Sequence, residues 1–198
     1  MKTVLLITFI VLGFILKGQE FEVLEKVPKN KKAADKEAIV YGDFIQRLGF
    51  SSGGFPQDVY LKNLNSEKYY RFRAKPTYKS RKDNSFCFYI PTGRYIIYSY
   101  FWTQSKWYGG AWHGEPIFKD IDLSKYKVGE RLIDEEYLDN DSVRFIFEVK
   151  DNSINYLGTW HFDDINVYFT NDKDSFDIEI KSQYKKLDFE KANVSIPK

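Results

Sequence analysis

The chain of 198 residues carries 30 Lys+Arg against 28 Asp+Glu, a formal net charge of +2, with 18% aromatic residues and a single Cys. That length suits one domain, and a 43% hydrophobic share beside 29% charged residues is globular rather than disordered composition. The near-neutral balance argues against a dedicated nucleic-acid binder, and one Cys excludes an internal disulfide or a multi-Cys zinc site.

The chain opens on Met1-Lys2 and an uncharged apolar run from Thr3 to Leu16. At 1.5 Å per residue, 14 helical residues reach about 21 Å, short of the ~30 Å hydrocarbon core. This pattern predicts a cleaved signal peptide over residues 1–18, with no stable transmembrane segment left afterwards. Gly18 offers a small residue before the cleaved bond, although Leu16 departs from the A-x-A pattern. No Cys follows the run to accept a lipid. The expected destination is the periplasm, the cell envelope or the medium. Loss of Lys2 and Lys17 leaves the mature chain formally neutral.

Residues 19–37 read as a flexible charged leader, in which Phe21 to Leu24 offers a stretch able to pair and Val27 to Lys32 reads as linker, and residues 38–198 read as one domain. Period-2 segments predict strands at Ile39 to Arg47, Val59 to Leu64 and Lys68 to Lys75. In the third, Tyr70, Phe72 and Ala74 share one face, with Tyr69, Arg71, Arg73 and Lys75 on the other. Ser85 to Ile90 precedes a Pro91-Thr92-Gly93 turn, in which Pro sets φ and Gly is free to take φ > 0. Arg94 to Trp102 returns as a long strand. Val143 to Val149, Ile154 to Trp160 and Ile165 to Thr170 complete the set. Phe176, Ile180, Tyr184 and Leu187 recur at helical spacing behind Asn171 or Asp172 as cap. Strands at regular spacing without intervening helices predict an all-β antiparallel sandwich, Ig-like or transthyretin-like, with one short C-terminal helix.

The stretch Phe88-Tyr89-Ile90-Pro91-Thr92-Gly93-Arg94-Tyr95 resembles the strand, Pro-x-Gly, Arg/Lys-Tyr, strand corner of carboxypeptidase-regulatory-like (transthyretin-type) sandwich domains. Phe147 to Gly158 is similar to a pattern in uncharacterised exported bacterial envelope proteins. The resemblance covers about a third of the chain and implies an exported bacterial sandwich, with no catalytic residue or cofactor to carry over.

Several motifs carry candidate chemistry. Gly49-Phe50-Ser51-Ser52-Gly53 matches G-x-S-x-G, but the helix a nucleophile elbow needs is replaced by Gly54-Phe55-Pro56 and a strand. His161-Phe162-Asp163-Asp164 gathers one His and two carboxylates, too few for a closed metal site, and residues 134–141 are acidic without EF-hand spacing. No metal, cofactor or nucleic-acid site is expected, and a small hydrolase using His113 or His161 is the least favoured reading. Lys68 to Lys82 holds seven basic residues and no acid. Its outward Arg71, Arg73 and Lys75 suit contact with an anionic polymer. Cys87 lies in an apolar run, where Cys acts as a small hydrophobe. Trp107, Tyr108, Trp112 and His113 form a Gly-rich aromatic loop suited to an envelope protein or a glycan. The same loop folded back over the sandwich would bury those rings instead. The resulting expectation is a non-catalytic binding or structural module of the envelope, with carbohydrate binding through loop 107–114 as the alternative.

Overall fold

Alternating apolar and polar residues become strands in the computed structural model, which describes residues 20–30, 38–46, 55–76, 83–106, 109–119, 143–164 and 166–198. The strands are β1 (Phe21–Val23), β2 (Ala38–Ile45), β3 (Gln57–Asn63), β4 (Tyr69–Lys75), β5 (Asp83–Ile90) and β6 (Gly93–Lys106). They continue with β7 (Gly109–Pro116), β8 (Ile146–Val149), β9 (Ile154–His161), β10 (Tyr168–Thr170) and, after helix α1 (Lys173–Gln183), β11 (Asn193–Val194). One sheet runs β1-β4-β3-β6-β7 with β8 also on β6; the other runs β10-β9-β2-β5 with β11 also on β9. The expected all-β sandwich is the architecture. Most pairings are antiparallel, but β1 on β4, β2 on β9 and β11 on β9 are parallel.

Aromatic rings fill the space between the sheets. Trp160, fully buried, lies within ring-contact distance of Phe72, Phe86, Phe147, Phe162 and Phe169. Its indole Nε1 donates to Leu157 O at 2.9 Å, so the one polar atom of the side chain is satisfied. A second apolar layer lies on the outer face of the β2/β5/β9 sheet, where Tyr41, Cys87 and Tyr156 pack under Phe176, Ile180, Tyr184 and Leu187. The expected helix is therefore present and buries the predicted face. Asp172 precedes it, yet its carboxylate accepts from Thr170 Oγ1 at 2.5 Å instead of capping, and Asn171 Oδ1 accepts from Lys173 N at 3.4 Å. Burial pushes the Cys87 thiol up to about 12, so it stays protonated and inert at neutral pH.

The leader pairs at the Phe21 to Leu24 stretch, and beyond it Glu25 and Val27, the latter expected to begin a linker, pair as well. β1 lies along β4, and the next residues switch sheets: Val27 N donates to Cys87 O (3.1 Å) and Tyr89 N to Glu25 O (2.9 Å). Leu24 and Val27 are buried. The apolar residues among the charges thus tie the two sheets together along one side. The C-terminal segment does the same on the other side, since β11 pairs with β9 while Lys198 exchanges two backbone hydrogen bonds with Ile146 of β8 (2.9 and 3.0 Å). Residues 1–19, which include the expected signal peptide, lie outside the described residues. Among the described residues no helix is long and apolar enough to cross a membrane.

The β2–β9 register shifts between Tyr41 and Asp43, where Gly42 and Gly158 cross in close contact. A Cβ on Gly42 would stand 2.4 Å from Gly158 O, and Gly158 itself holds φ at 89°. The nearer obstacle is backbone, which cannot swing aside, and the second is the buried Phe86 ring, whose Cζ would stand 2.8 Å away. Gly42→Ala is therefore expected to destabilise by about 3 kcal/mol, near the upper end for overpacking. Urea unfolding checks this, and an unchanged midpoint would show that the crossing is looser than described. At the predicted turn, Gly93 takes φ 139° and Tyr95 OH donates to Pro91 O at 2.6 Å.

Candidate functional site

β2 and β4 end, and β3 and β5 begin, at one end of the sandwich, and β6 and β7 extend past β3 at that same end. Residues there are in phase with the core. Gln46 follows Phe44 on β2's inward face, Gln57 precedes Val59 on β3, and Asn84 precedes Phe86 on β5. All three are buried. The inward layer therefore changes from aromatic to polar as it reaches the loop end. Tyr100 OH donates to Gln57 Oε1, joining the last ring of the core to this layer. Among the described residues neither the amide oxygen nor the amide nitrogen of Gln46, which is fully buried, has a hydrogen-bond partner.

The β6–β7 ladder supplies the other wall. Trp102 stands opposite His113 and stacks on it with ring centroids 4.4 Å apart and planes 19° from parallel. Trp102 Nε1 donates to Glu115 Oε1 at 2.9 Å, so the indole is held on both its face and its edge. His113 is half-buried and its Nε2 is buried without a hydrogen-bond partner. Leaving such atoms unmatched costs about 1–3 kcal/mol each, more than a well-packed apolar replacement would. Among the described residues the loop end thus holds a donor and an acceptor on Gln46 and an imidazole nitrogen on His113 without partners.

Of the aromatic candidates, His113 belongs to this layer. Trp107 and Tyr108 lie outside the described residues; the backbone of Trp112 pairs with Thr103 in the β6–β7 ladder, and its side chain is outside the description. Loops 47–54, with the G-x-S-x-G match, 77–82 and 120–142, with the acidic stretch 134–141, are also outside it. The base of the last is fixed: Lys119 N donates to Val143 O at 2.8 Å, and buried Arg144 donates to Tyr98 O and Ile117 O at 3.0 and 2.8 Å.

The three expected surface cations are placed differently from one another. Arg73 makes a two-pronged contact with Asp58 (3.0 and 3.3 Å), and Arg71 lies 3.8 Å from the same carboxylate. That hydrogen bond raises the Arg73 guanidinium above its usual value. Lys75, expected to face outward, is fully buried. A bulge opposite Gln57 and Asp58 inserts one extra residue into β4, and one residue is enough to flip a side chain to the other face. Lys75 then stands across from inward Gln57 and donates to Phe55 O at 2.5 Å. Burial lowers its pKa. Asp58 therefore offsets one of the two arginine charges on the outer face of β4, and the third cation belongs to the polar layer of the loop end.

His161 lies on the other sheet from His113. Its Nε2 is 3.0 Å from Thr170 Oγ1, its Nδ1 is 3.8 Å from Asp163 Oδ1, and its ring stacks on Tyr168 at 4.2 Å. Through Thr170 and Asp172 this chain of contacts joins β9, β10 and the start of α1. Among the described residues no group of three or more His, Cys, Asp or Glu is placed to hold a metal ion.

No protein-family model matches the chain, and comparison with curated proteins and with solved structures returns no match. The site is therefore argued from its own geometry. The inward polar residues Gln46, Gln57 and Asn84 were absent from the sequence-derived candidates. Their signal was present, because each continues the period-2 phase of an apolar strand by one step at the same end of the fold.

Proposed function

We propose that this chain is an exported, non-catalytic β-sandwich of the bacterial cell envelope that binds a protein or assembly partner at its loop end. The observation that carries this reading is that, among the described residues, the buried Gln46 amide and His113 Nε2 have no hydrogen-bond partner. Fully buried polar side chains are normally satisfied, and a partner group reaching this layer supplies what they lack. The N-terminal charge-then-apolar pattern and the resemblance of the Pro91-Thr92-Gly93 corner to transthyretin-type envelope sandwiches support export. A second reading, carbohydrate binding, is favoured by the Trp102–His113 stack at the base of the strand pair that carries Trp107 and Trp112.

The test uses the full chain produced in a bacterium. The periplasmic fraction is expected to contain protein beginning at or near Gln19, and full-length protein confined to the cytoplasm rejects the export reading. Tryptophan fluorescence titrations with envelope glycans then separate the two binding readings. A shift abolished by Trp107→Ala with Trp112→Ala establishes the carbohydrate reading. No shift with any glycan, together with an envelope protein retained by the wild type and lost on Gln46→Leu, establishes the protein-partner reading.

A further inference from the structure

The side of the sandwich closed by the C-terminal segment carries a second candidate site, independent of the loop end. Here β8 and the chain from Asn193 to Lys198 meet at the Ile146–Lys198 hydrogen bonds and diverge away from them, leaving a groove of about 670 Å³. That size suits a small ligand or a short stretch of polymer. Arg94, Lys150 and Lys198 line it, with Glu148 as the one acidic side chain on its wall. Among the described residues none of the three cations has a carboxylate within ion-pair distance, in contrast to Arg71 and Arg73, which share Asp58. Arg94 stands directly opposite Glu148 in the β6–β8 ladder, yet the two side chains do not pair. The cations are thus available to an anion without first breaking an internal contact.

The rest of the lining narrows the ligand. Asn171, Asn193 and Ser195 supply neutral donors and acceptors, and Val194 (54% exposed) and Ile196 supply an aliphatic surface. Amides and a hydroxyl beside cations fit a backbone rich in hydroxyl groups that also carries negative charge, while an aliphatic floor fits the C–H faces of sugar rings. We propose that this groove binds a strand of acidic polysaccharide, with carboxylates held by Arg94, Lys150 and Lys198. An acidic peptide would meet the same cations and amides through its carboxylates and backbone, and the aliphatic floor of Val194 and Ile196 is what favours the C–H faces of sugar rings over it. The anionic-polymer contact that the sequence suggests for β4 is thereby relocated to residues whose charges are not already used.

The experiment titrates the mature chain with oligogalacturonate as probe, beside a neutral galacto-oligosaccharide, polyglutamate and polyphosphate. Oligogalacturonate is expected to bind, and to weaken by about tenfold or more when salt rises from about 50 to about 300 mM. Arg94→Glu with Lys150→Glu should abolish binding while the melting temperature holds, since both side chains are exposed. Lys29→Glu with Lys185→Glu makes the same change in net charge away from the groove and should leave binding intact. Equal loss in that control pair overturns the proposal in favour of a general charge effect. Equal or tighter binding of polyglutamate or polyphosphate, or no binding of oligogalacturonate at all, overturns the acidic-polysaccharide assignment. Gln46→Leu should not alter oligogalacturonate binding, which keeps failure here distinct from failure at the loop end.

Discussion

Trp160→Ala is expected to lower stability by about 3–5 kcal/mol, the range for emptying a large aromatic site from a packed core. The indole is fully buried and meets rings from both sheets: Phe72 and Phe147 on one, Phe86, Phe162 and Phe169 on or beside the other. Its removal therefore opens a void bordered by β4, β5, β8 and β10 at once, and no one element can collapse to fill it. Phe162 and Phe169 follow closely along the same stretch of chain, so their own positions depend on the ring that is lost. Trp160→Phe keeps most of the apolar volume but gives up the 2.9 Å bond to Leu157 O, leaving that carbonyl unmatched. A cost of about 1–3 kcal/mol is expected for it, from the smaller void and the lost bond together. Urea denaturation read by circular dichroism, at constant m-value, measures both. A cost below about 1 kcal/mol for Trp160→Ala would show that the two sheets are not joined through this ring.

How far the sequence discloses the fold follows from what period-2 patterning encodes. It records which face of a strand is buried, so β2 to β6, β8 and β9 are legible as elements, and the i, i+4 spacing of Phe176, Ile180 and Tyr184 reveals α1. It does not record partners. The parallel pairing of β2 with β9 joins residues more than a hundred positions apart, and nothing local to Ile39 or Ile154 announces it. The partner of β1 and the pairing of the 24–27 segment were illegible for a related reason. Their few apolar residues are diluted by Glu and Lys, and they gain meaning only beside β4 and β5, which the leader reaches by crossing from one sheet to the other. Lys75 fails differently. Strict alternation places it outside, and the extra residue of the β4 bulge, invisible in the pattern itself, brings it in.

The candidate site was legible in part. The stretch read as a Gly-rich aromatic loop is, from Gly109 onward, strand β7 paired along β6, because its small glycines leave the extended backbone free to join the ladder opposite Thr103 to Lys106. His113 was named for its ring, and its ring is what it uses, against Trp102. The polar layer was missed because Gln46, Gln57 and Asn84 look like strand-end residues, where polar side chains are ordinary. Only their phase relative to Phe44, Val59 and Phe86 distinguishes them. Three in-phase polar residues at strand ends that the topology gathers together form a pattern, whereas each alone does not.

Gln46→Leu is expected to move stability and binding in opposite directions. The buried amide forgoes its hydrogen bonds to water on folding and recovers none from the protein. An apolar side chain of similar volume removes that penalty, so the variant should be more stable by about 1–3 kcal/mol. The same change takes from the loop end the donor and acceptor that a partner would meet, and retention of the partner should be lost. His113→Phe provides an independent version, since it preserves a ring to stack on Trp102 while removing the unmatched Nε2. Core polar groups kept at a net cost are explained when function uses them, and the paired measurement reads that cost directly. Thermal or urea unfolding gives the first quantity and affinity retention of the envelope partner the second. A destabilised Gln46→Leu would mean that a buried water already satisfies the amide. The polar layer would then be structural, and the binding site would have to be sought elsewhere on the molecule.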